Sequence, residues 1–392
     1  MLPLEGINVV ALEQAVAAPF ATRHLADLGA RVIKIERPRV GDFARAYDTT
    51  VRGMSSHFVW VNRSKESLTL DVKQSAAKEV LHRLLDKADV FVQNLAPGAC
   101  DRLGLGTTEL RERYPRLIVC NLSGYGATGP YRDRRAYDML VQSEAGLVSL
   151  TGTEETPSKV GISISDIAAG MYAFSGILTA LLVRKQTGKG TALDISLLES
   201  IGEWMGYAAY YTAYGGTQPP RAGASHAAIA PYGPFISSDG KQVLLAVQNE
   251  REWARFCEKV IAQPELENDP RFVSNSKRVE HRPAVDSIVA AALKKLTAEK
   301  IIALLEDAQI AYARLNSVRE FVDHPQLAAR ERWREVDSPV GPLRALVPPG
   351  MMEGAEPYMG AVPALGQHTD AILTELGFDA NTIAAWRQKK MI

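Results

Sequence analysis

Cysteine is nearly absent. The chain has three, Cys100, Cys120 and Cys257, far apart and with no histidine at metal-ligand spacing. That argues against a disulfide framework and against a structural zinc site, and the three are read as small buried hydrophobes. An excess of either charge is missing too, since 45 basic side chains balance 45 acidic ones. No chain-wide field exists to hold a polyanion, so nucleic acid is not an expected partner, and the lack of mutual repulsion suits a chain that assembles with itself. The most apolar stretch, 177–183, is too short to span a bilayer. The opening MLPLEGINVVALEQ carries neither the basic cluster nor the long apolar run of a secretory leader. A cytoplasmic protein without a membrane partner is expected.

What is present is an ordinary globular composition spread over 392 residues, enough for one large α/β unit and a smaller one at roughly 150 residues per domain. Strands are expected at 7–12, 31–36, 68–72, 89–93 and 117–122, and helices at 15–28, from 75 onward and at 109–114. That alternation, in units of about 30 residues, indicates βαβ crossovers and a mostly parallel sheet. Further on, 139–150 reads as a helix, 160–165 as a strand, 168–185 as a long buried helix, 193–195 as a strand and 196–211 as a helix. From 214 to 234 glycine, proline and alanine crowd out both patterns, which marks a boundary. A hairpin around Ser238-Asp239-Gly240 and amphipathic helices follow. The expected organisation is a large domain begun by 1–215, a linker and small α+β domain at 216–325, and a return at 326–392 that completes the large domain.

The segment GISISDIAAG, residues 161–170, is the most informative. Strand alternation sets Ile162, Ile164 and Asp166 on one face, and a carboxylate on an apolar face needs a reason. One reading makes Asp166 the N-cap of the following helix. The other makes it a carboxylate nucleophile at the C-terminal end of a parallel strand, where open α/β sheets place their ligands. The glycine pattern GYGATG at 124–129 follows a strand, but Pro130 comes next, and a loop there argues against a dinucleotide site. Lys34, Arg37, Lys73, Arg102 and Arg135 fall near expected strand ends. Together they suit a small polyphosphate such as a nucleotide or coenzyme A. The seven histidines show no metal spacing.

Several ordered blocks carry a resemblance that spans essentially the whole chain. They include LEGINVVALEQAVAAPFATRHLADLGARVIKIERP at 4–38, SLTLDVK at 67–73, DVFVQNLAPGACDRLGLG at 89–106, SGYGATGP at 123–130, AYDMLVQSEAGL at 136–147 and LGQHTDAILTELG at 365–377. The sequence resembles the class III CoA-transferases, the superfamily that includes formyl-CoA transferase, carnitine CoA-transferase and α-methylacyl-CoA racemase. The resemblance places the family's nucleophilic aspartate on Asp166. It places CoA contacts on Val16, Ala17, Arg37, Leu70, Lys73, Asn94, Leu95, Arg102, Arg135 and Tyr137. It implies a Rossmann-like large domain, a smaller α+β domain and an interlocked homodimer. Coenzyme A would enter as acyl-CoA substrate, with no metal and no redox cofactor.

Two departures from the family pattern matter. The racemase branch has a histidine where Tyr137 stands, and a tyrosine is a poor base near neutral pH. Formyl-CoA transferase has a glutamine where Val16 stands, and a run of glycines where this chain has only Gly223 and Gly233. Within the family the N-terminal blocks look most like enzymes of five-carbon dicarboxylates, itaconate CoA-transferases and mesaconyl-CoA C1–C4 transferases. A second substrate carboxylate needs a cation, and Arg45, Arg52 and His226 are the candidates.

Overall fold

The structure, a computed structural model, describes residues 2–392. Two compact units divide the chain. One comprises residues up to 147 with 160–207 and 327–392; the other comprises 148–159 with 208–326.

The larger unit is built on six parallel strands, β1 (Asn8–Leu12), β2 (Arg31–Glu36), β3 (Lys65–Thr69), β4 (Val90–Gln93), β5 (Ile118–Ser123) and β6 (Ala192–Ser196). Their order is β3-β2-β1-β4-β5-β6, so the winding direction reverses between β1 and β4, the position where doubly wound sheets open a crevice for ligand. The central strands NVVAL, VFVQ and IVCNLS are near-continuous apolar runs, because helices cover both faces. The helices of this stretch are α1 (Ala17–Asp27), α2 (Ser56–Asn62), α3 (Ala77–Leu85), α4 (Ala99–Arg102), α5 (Thr107–Arg113), α6 (Asp138–Glu144), α7 (Leu147–Leu150), α8 (Ile164–Thr187) and α9 (Leu197–Trp204). On one face α1, α8 and α9 bury Leu25, Ala169, Ala173, Ile177 and Ile201 against the sheet. On the other, Val80, Leu84, Leu110, Ile372 and Leu373 form a second core.

Small residues let α1 and α8 lie close together. A Cβ on Gly170 would come within 2.7 Å of the Ala17 carbonyl oxygen, so no other residue fits there without moving a helix. The apolar part of α8 exceeds the 177–183 expected from sequence. The helix has 24 residues and is long and apolar enough to cross a membrane by composition. Only a third of that apolar stretch is buried, at Ala168, Ala169, Gly170, Ala173, Ile177 and Ala180 among others, and its first turn carries Asp166, so the long buried helix expected at 168–185 is covered along one side only. The strand expected at 160–165 does not form; helix already begins at Ile164. In β2, RVIKIE alternates as a half-exposed strand should, yet five of its six residues are buried. Its charged face is covered because Lys34 and Glu36 end in buried ion pairs.

The smaller unit contains most of α10 (Gly206–Gly215) and the antiparallel sheet β7 (Tyr232–Ile236), β8 (Gln242–Ala246) and β9 (Ala311–Arg314). The expected hairpin turn at Ser238-Asp239-Gly240 joins β7 to β8. Helices α11 (Glu250–Arg255), α12 (Asn275–Glu280), α13 (Arg282–Leu293) and α14 (Ala298–Asp307) complete it around Trp253, Phe256, Phe272, Ile301 and Leu305. The chain continues through α15 (Val318–Val322) and α16 (Pro325–Ala329) to the antiparallel pair β10 (Trp333–Val336) and β11 (Leu343–Leu346). It ends with α17 (Thr369–Glu375) and α18 (Ala380–Gln388). Thr369 returns the C-terminal segment to the sheet, its Oγ1 accepting from the Thr69 amide at 3.0 Å.

Candidate active site

Asp166 lies in the first turn of α8, and the fold supplies what holds that turn. Asp138 opens α6, and its Oδ1 accepts from the amides of Ser165 at 2.8 Å and Asp166 at 3.3 Å. One turn along α6, Gln142 Nε2 donates to Asp138 Oδ2 at 2.7 Å, and its Oε1 accepts from the Val160 amide at 3.0 Å. The free amides at the start of α8 are thus capped from another helix. The reading of Asp166 as its own helix's N-cap is overturned, since Ser163 occupies that position. The Asp166 carboxylate accepts no hydrogen bond among the described residues and is half-buried. Burial, and then the neighbouring Asp138 charge, push its pKa up to about 7. An acid left unbonded and partly desolvated at a helix start is a candidate for chemistry.

Tyr47 stands near this carboxylate and near Tyr137. Burial first, then Asp42, Asp166 and Tyr137, push the Tyr47 hydroxyl up to about 12. The Tyr47 ring meets His57 edge-on at 5.3 Å, and His57 Nδ1 lies 3.7 Å from Asp48 Oδ2. Asp138, Gln142, Tyr47 and His57 were not singled out as site residues from sequence. The Asp138–Gln142 spacing of four was a visible helix-start pattern, but the amides that Asp138 caps lie 27 and 28 residues beyond it.

The residues assigned to CoA by resemblance sit at the C-terminal ends of the parallel strands. Val16 and Ala17 start α1 after β1; Arg37 follows β2; Leu70 and Lys73 follow β3; Asn94, Leu95 and Arg102 follow β4; Arg135 and Tyr137 lie between β5 and α6. The side chains of Arg37, Lys73, Arg102 and Arg135 are exposed and make no ion pair among the described residues. Four free cations along one sheet edge suit a polyphosphate. Leu70 differs, since its side chain is sealed in the core. Asn94 spends its amide on the chain itself: Oδ1 accepts from the Gln14 amide and Nδ2 donates to the Gln14 carbonyl, both at 2.8 Å.

Three assignments from sequence change. Lys34 is no surface cation: it is fully buried, with Nζ 2.8 Å from Asp42 Oδ2. Arg45 is committed to Glu36, which it grips through Nε and Nη2 at 2.8 Å each, and it stacks on Phe58. Arg52 donates through Nη1 to the carbonyls of Val340 and Pro342. Neither arginine is a free cation for a substrate carboxylate. His226 belongs to the smaller unit, stacked on Tyr232 at 5.2 Å.

The glycine motif forms a loop, with Ser123 Oγ accepting from the Gly126 amide at 2.9 Å. The three cysteines are buried and free, their thiols pushed up to about 12 chiefly by burial. Among the described residues no group of three or more His, Cys, Asp or Glu is arranged to hold a metal ion.

Residues 4–369 match the model of CoA-transferase family III. The chain is 34% identical over 393 residues to the succinyl-CoA:glutarate CoA-transferase of Mus musculus, covering 98% of this chain and 88% of that one. It is 37% identical over 330 residues to the acetyl-CoA:oxalate CoA-transferase of Acetobacter aceti, covering 84% of each. A solved CAIB/BAIF family protein from Brucella suis superposes with a TM-score of 0.84 at 32% identity, covering 96% of this chain and 99% of that one. Sheet order and the end-to-end match agree: the protein is an enzyme of CoA-transferase family III, and CoA thioesters are its substrates.

Proposed function

We propose that the enzyme moves CoA from succinyl-CoA, or a donor like it, to a short dicarboxylic acid of the itaconate or mesaconate type, with Asp166 as nucleophile. The unbonded, half-buried carboxylate on α8 carries this reading. In its ionised form Asp166 attacks the thioester carbonyl, the C–S bond breaks, and CoA leaves as thiolate with a mixed anhydride left behind. The thiolate attacks the aspartyl carbonyl, releases the donor acid and forms an aspartyl-CoA thioester. The acceptor carboxylate attacks that thioester, forms a second anhydride and frees the thiolate again. Attack of the thiolate on the acceptor's carbonyl gives the new acyl-CoA and restores Asp166. Each step exchanges groups of similar energy, so covalent catalysis splits a hard transfer into balanced ones. A carboxylate is a weak nucleophile, so rate must come from orientation and from excluding water.

The five-carbon acceptor is supported by the glutarate enzyme among the relatives. The oxalate enzyme makes a two-carbon acceptor the alternative. Tyr137 in place of a histidine disfavours epimerisation. The test is a mass-spectrometric screen with succinyl-CoA as donor and itaconate, mesaconate, citramalate, malate, glutarate, oxalate and carnitine as acceptors, run with hydroxylamine trapping. A hydroxamate on Asp166 and loss of activity in Asp166→Ala are expected; full activity in that variant would refute the scheme. We also propose that the enzyme works as a cytoplasmic homodimer. Its charge balance and a tyrosine face on α10 support self-association.

A further inference from the structure

A dense cluster of buried ions lies beneath the β1–α1 turn. Glu13, Lys34 and Asp42 are completely buried, and Glu36 and Lys65 almost so. Lys65 Nζ lies 2.7 Å from Glu13 Oε1, and Lys34 Nζ bridges Asp42 Oδ2 at 2.8 Å and Glu13 Oε1 at 3.4 Å. With Arg45 on Glu36 the cluster balances three acids against three bases. Stability is a poor explanation, because well-packed apolar side chains often replace buried ion pairs without loss.

The turn above the cluster suggests another reason. Three consecutive residues are each fixed by a separate partner. Glu13 is held by the two lysines and by Thr22. Gln14 is clamped at both backbone groups by Asn94. Ala15 donates its amide to Asp42 Oδ1 at 3.0 Å, the same oxygen that accepts from Ala44 at 2.9 Å. Ala15 has φ of +62°, a left-handed conformation that an alanine keeps only where its surroundings over-determine it. The next residue, Val16, is at the N-cap position of α1. The Ala17 carbonyl then packs against Gly170, one helical turn from Asp166 and on the same face of α8. The turn lies at the β1/β4 reversal of the sheet.

We propose that Asp42 is a positioning residue for acyl transfer: its Oδ1 locks the Ala15 amide and so sets the start of α1 against the turn that carries Asp166. This rests on the CoA-transfer reading above. Two double variants isolate the lock, because both remove one acid and one base. Asp42→Asn/Lys34→Met keeps an acceptor for the Ala15 amide, and Asp42→Ala/Lys34→Met does not. Expected are similar melting temperatures and similar KM for succinyl-CoA. The rate of Asp166 adduct formation should stay near native in the first variant and fall about 10- to 100-fold in the second. Hydrogen exchange at Ala15 should accelerate only in the second. Equal adduct rates in two folded doubles would overturn the lock. Should the alanine double fail to fold, Asp42→Ser/Lys34→Met replaces it, its hydroxyl being too short to reach the amide. A native enzyme that forms no adduct would overturn the transfer reading and this proposal with it; a native enzyme that forms one, with equal doubles, overturns the lock alone.

Discussion

At the scale of single residues, the proposed chemistry turns on one half-buried carboxyl that accepts no hydrogen bond among the described residues. The start of a helix favours an anion, but burial and the Asp138 charge act the other way and dominate, leaving Asp166 with a pKa of about 7. Only the ionised form attacks a thioester, so the rate of adduct formation should rise with pH through about 7 and then level off. Single-turnover trapping from pH 5 to 9 measures this, and a rate already flat at pH 5 would count against it. The same shift makes a statement about folding. In the unfolded chain this acid titrates near 3.8, so between that value and 7 the folded state binds the extra proton and stability falls as pH rises. The cost is absent below about 4 and complete above about 7. Asp166→Asn removes it. The variant should melt like the native enzyme at pH 4 and be more stable at pH 8. The full shift corresponds to on the order of 4 kcal/mol, reduced to about 1–2 kcal/mol by the water that reaches a half-buried group. Calorimetry at both pH values is the check.

At the scale of elements, the α1–α8 contact turns helix packing into site geometry. In Gly170→Ala the new Cβ would meet the Ala17 carbonyl at 2.7 Å, so one helix must shift. A loss of about 1–3 kcal/mol in stability is expected, with a larger proportional loss in kcat, because Asp166 rides on the displaced turn. Denaturant melts and steady-state kinetics would separate the two effects. Much of the element pattern was legible in the sequence, because apolar runs near β1, β4 and β5 alternate with helical periodicity. What misled was local likeness. Residues 160–165 alternate like a strand, but Asp138 and Gln142 supply acceptors that let helix begin at Ile164. RVIKIE alternates apolar and charged residues, and only the folded sheet brings Asp42 and Arg45 over its charged side. Lys34 and Arg45 read as ligand cations because nothing local reveals a distant acid. The free cations Arg37, Lys73, Arg102 and Arg135 were legible, since strand ends can be located from pattern alone, whereas Asp166 was singled out by the family resemblance and lies in a helical turn, not at the strand end that alternation suggested. Asp138, the acid that caps the turn carrying Asp166, was not legible, because that contact is made by the fold.

For the whole molecule, zero net charge coexists with free cations gathered at one sheet edge, so attraction for a polyphosphate is local and the remaining surface is left without mutual repulsion. Helix α10 then carries an unusual face. Tyr207, Tyr210, Tyr211 and Tyr214 recur at helical spacing and are all exposed, Tyr210 at 71% and Tyr214 at 84%, with the Tyr210 and Tyr214 rings stacked at 6.1 Å. Single exposed aromatics are common on soluble proteins; four along one helix face make a patch of the composition found in the centres of subunit interfaces. A second copy of a neutral chain can approach that patch without electrostatic cost. Sedimentation at micromolar concentration should therefore give twice the chain mass, with little response to salt because the contact is aromatic. Tyr210→Glu/Tyr214→Glu places charges where the apolar face would be buried, and should shift the enzyme toward monomer while its helical content is retained. A native protein that sediments as a monomer across that range would contradict the assignment of this face, and a double variant that remains dimeric would move the interface to another surface.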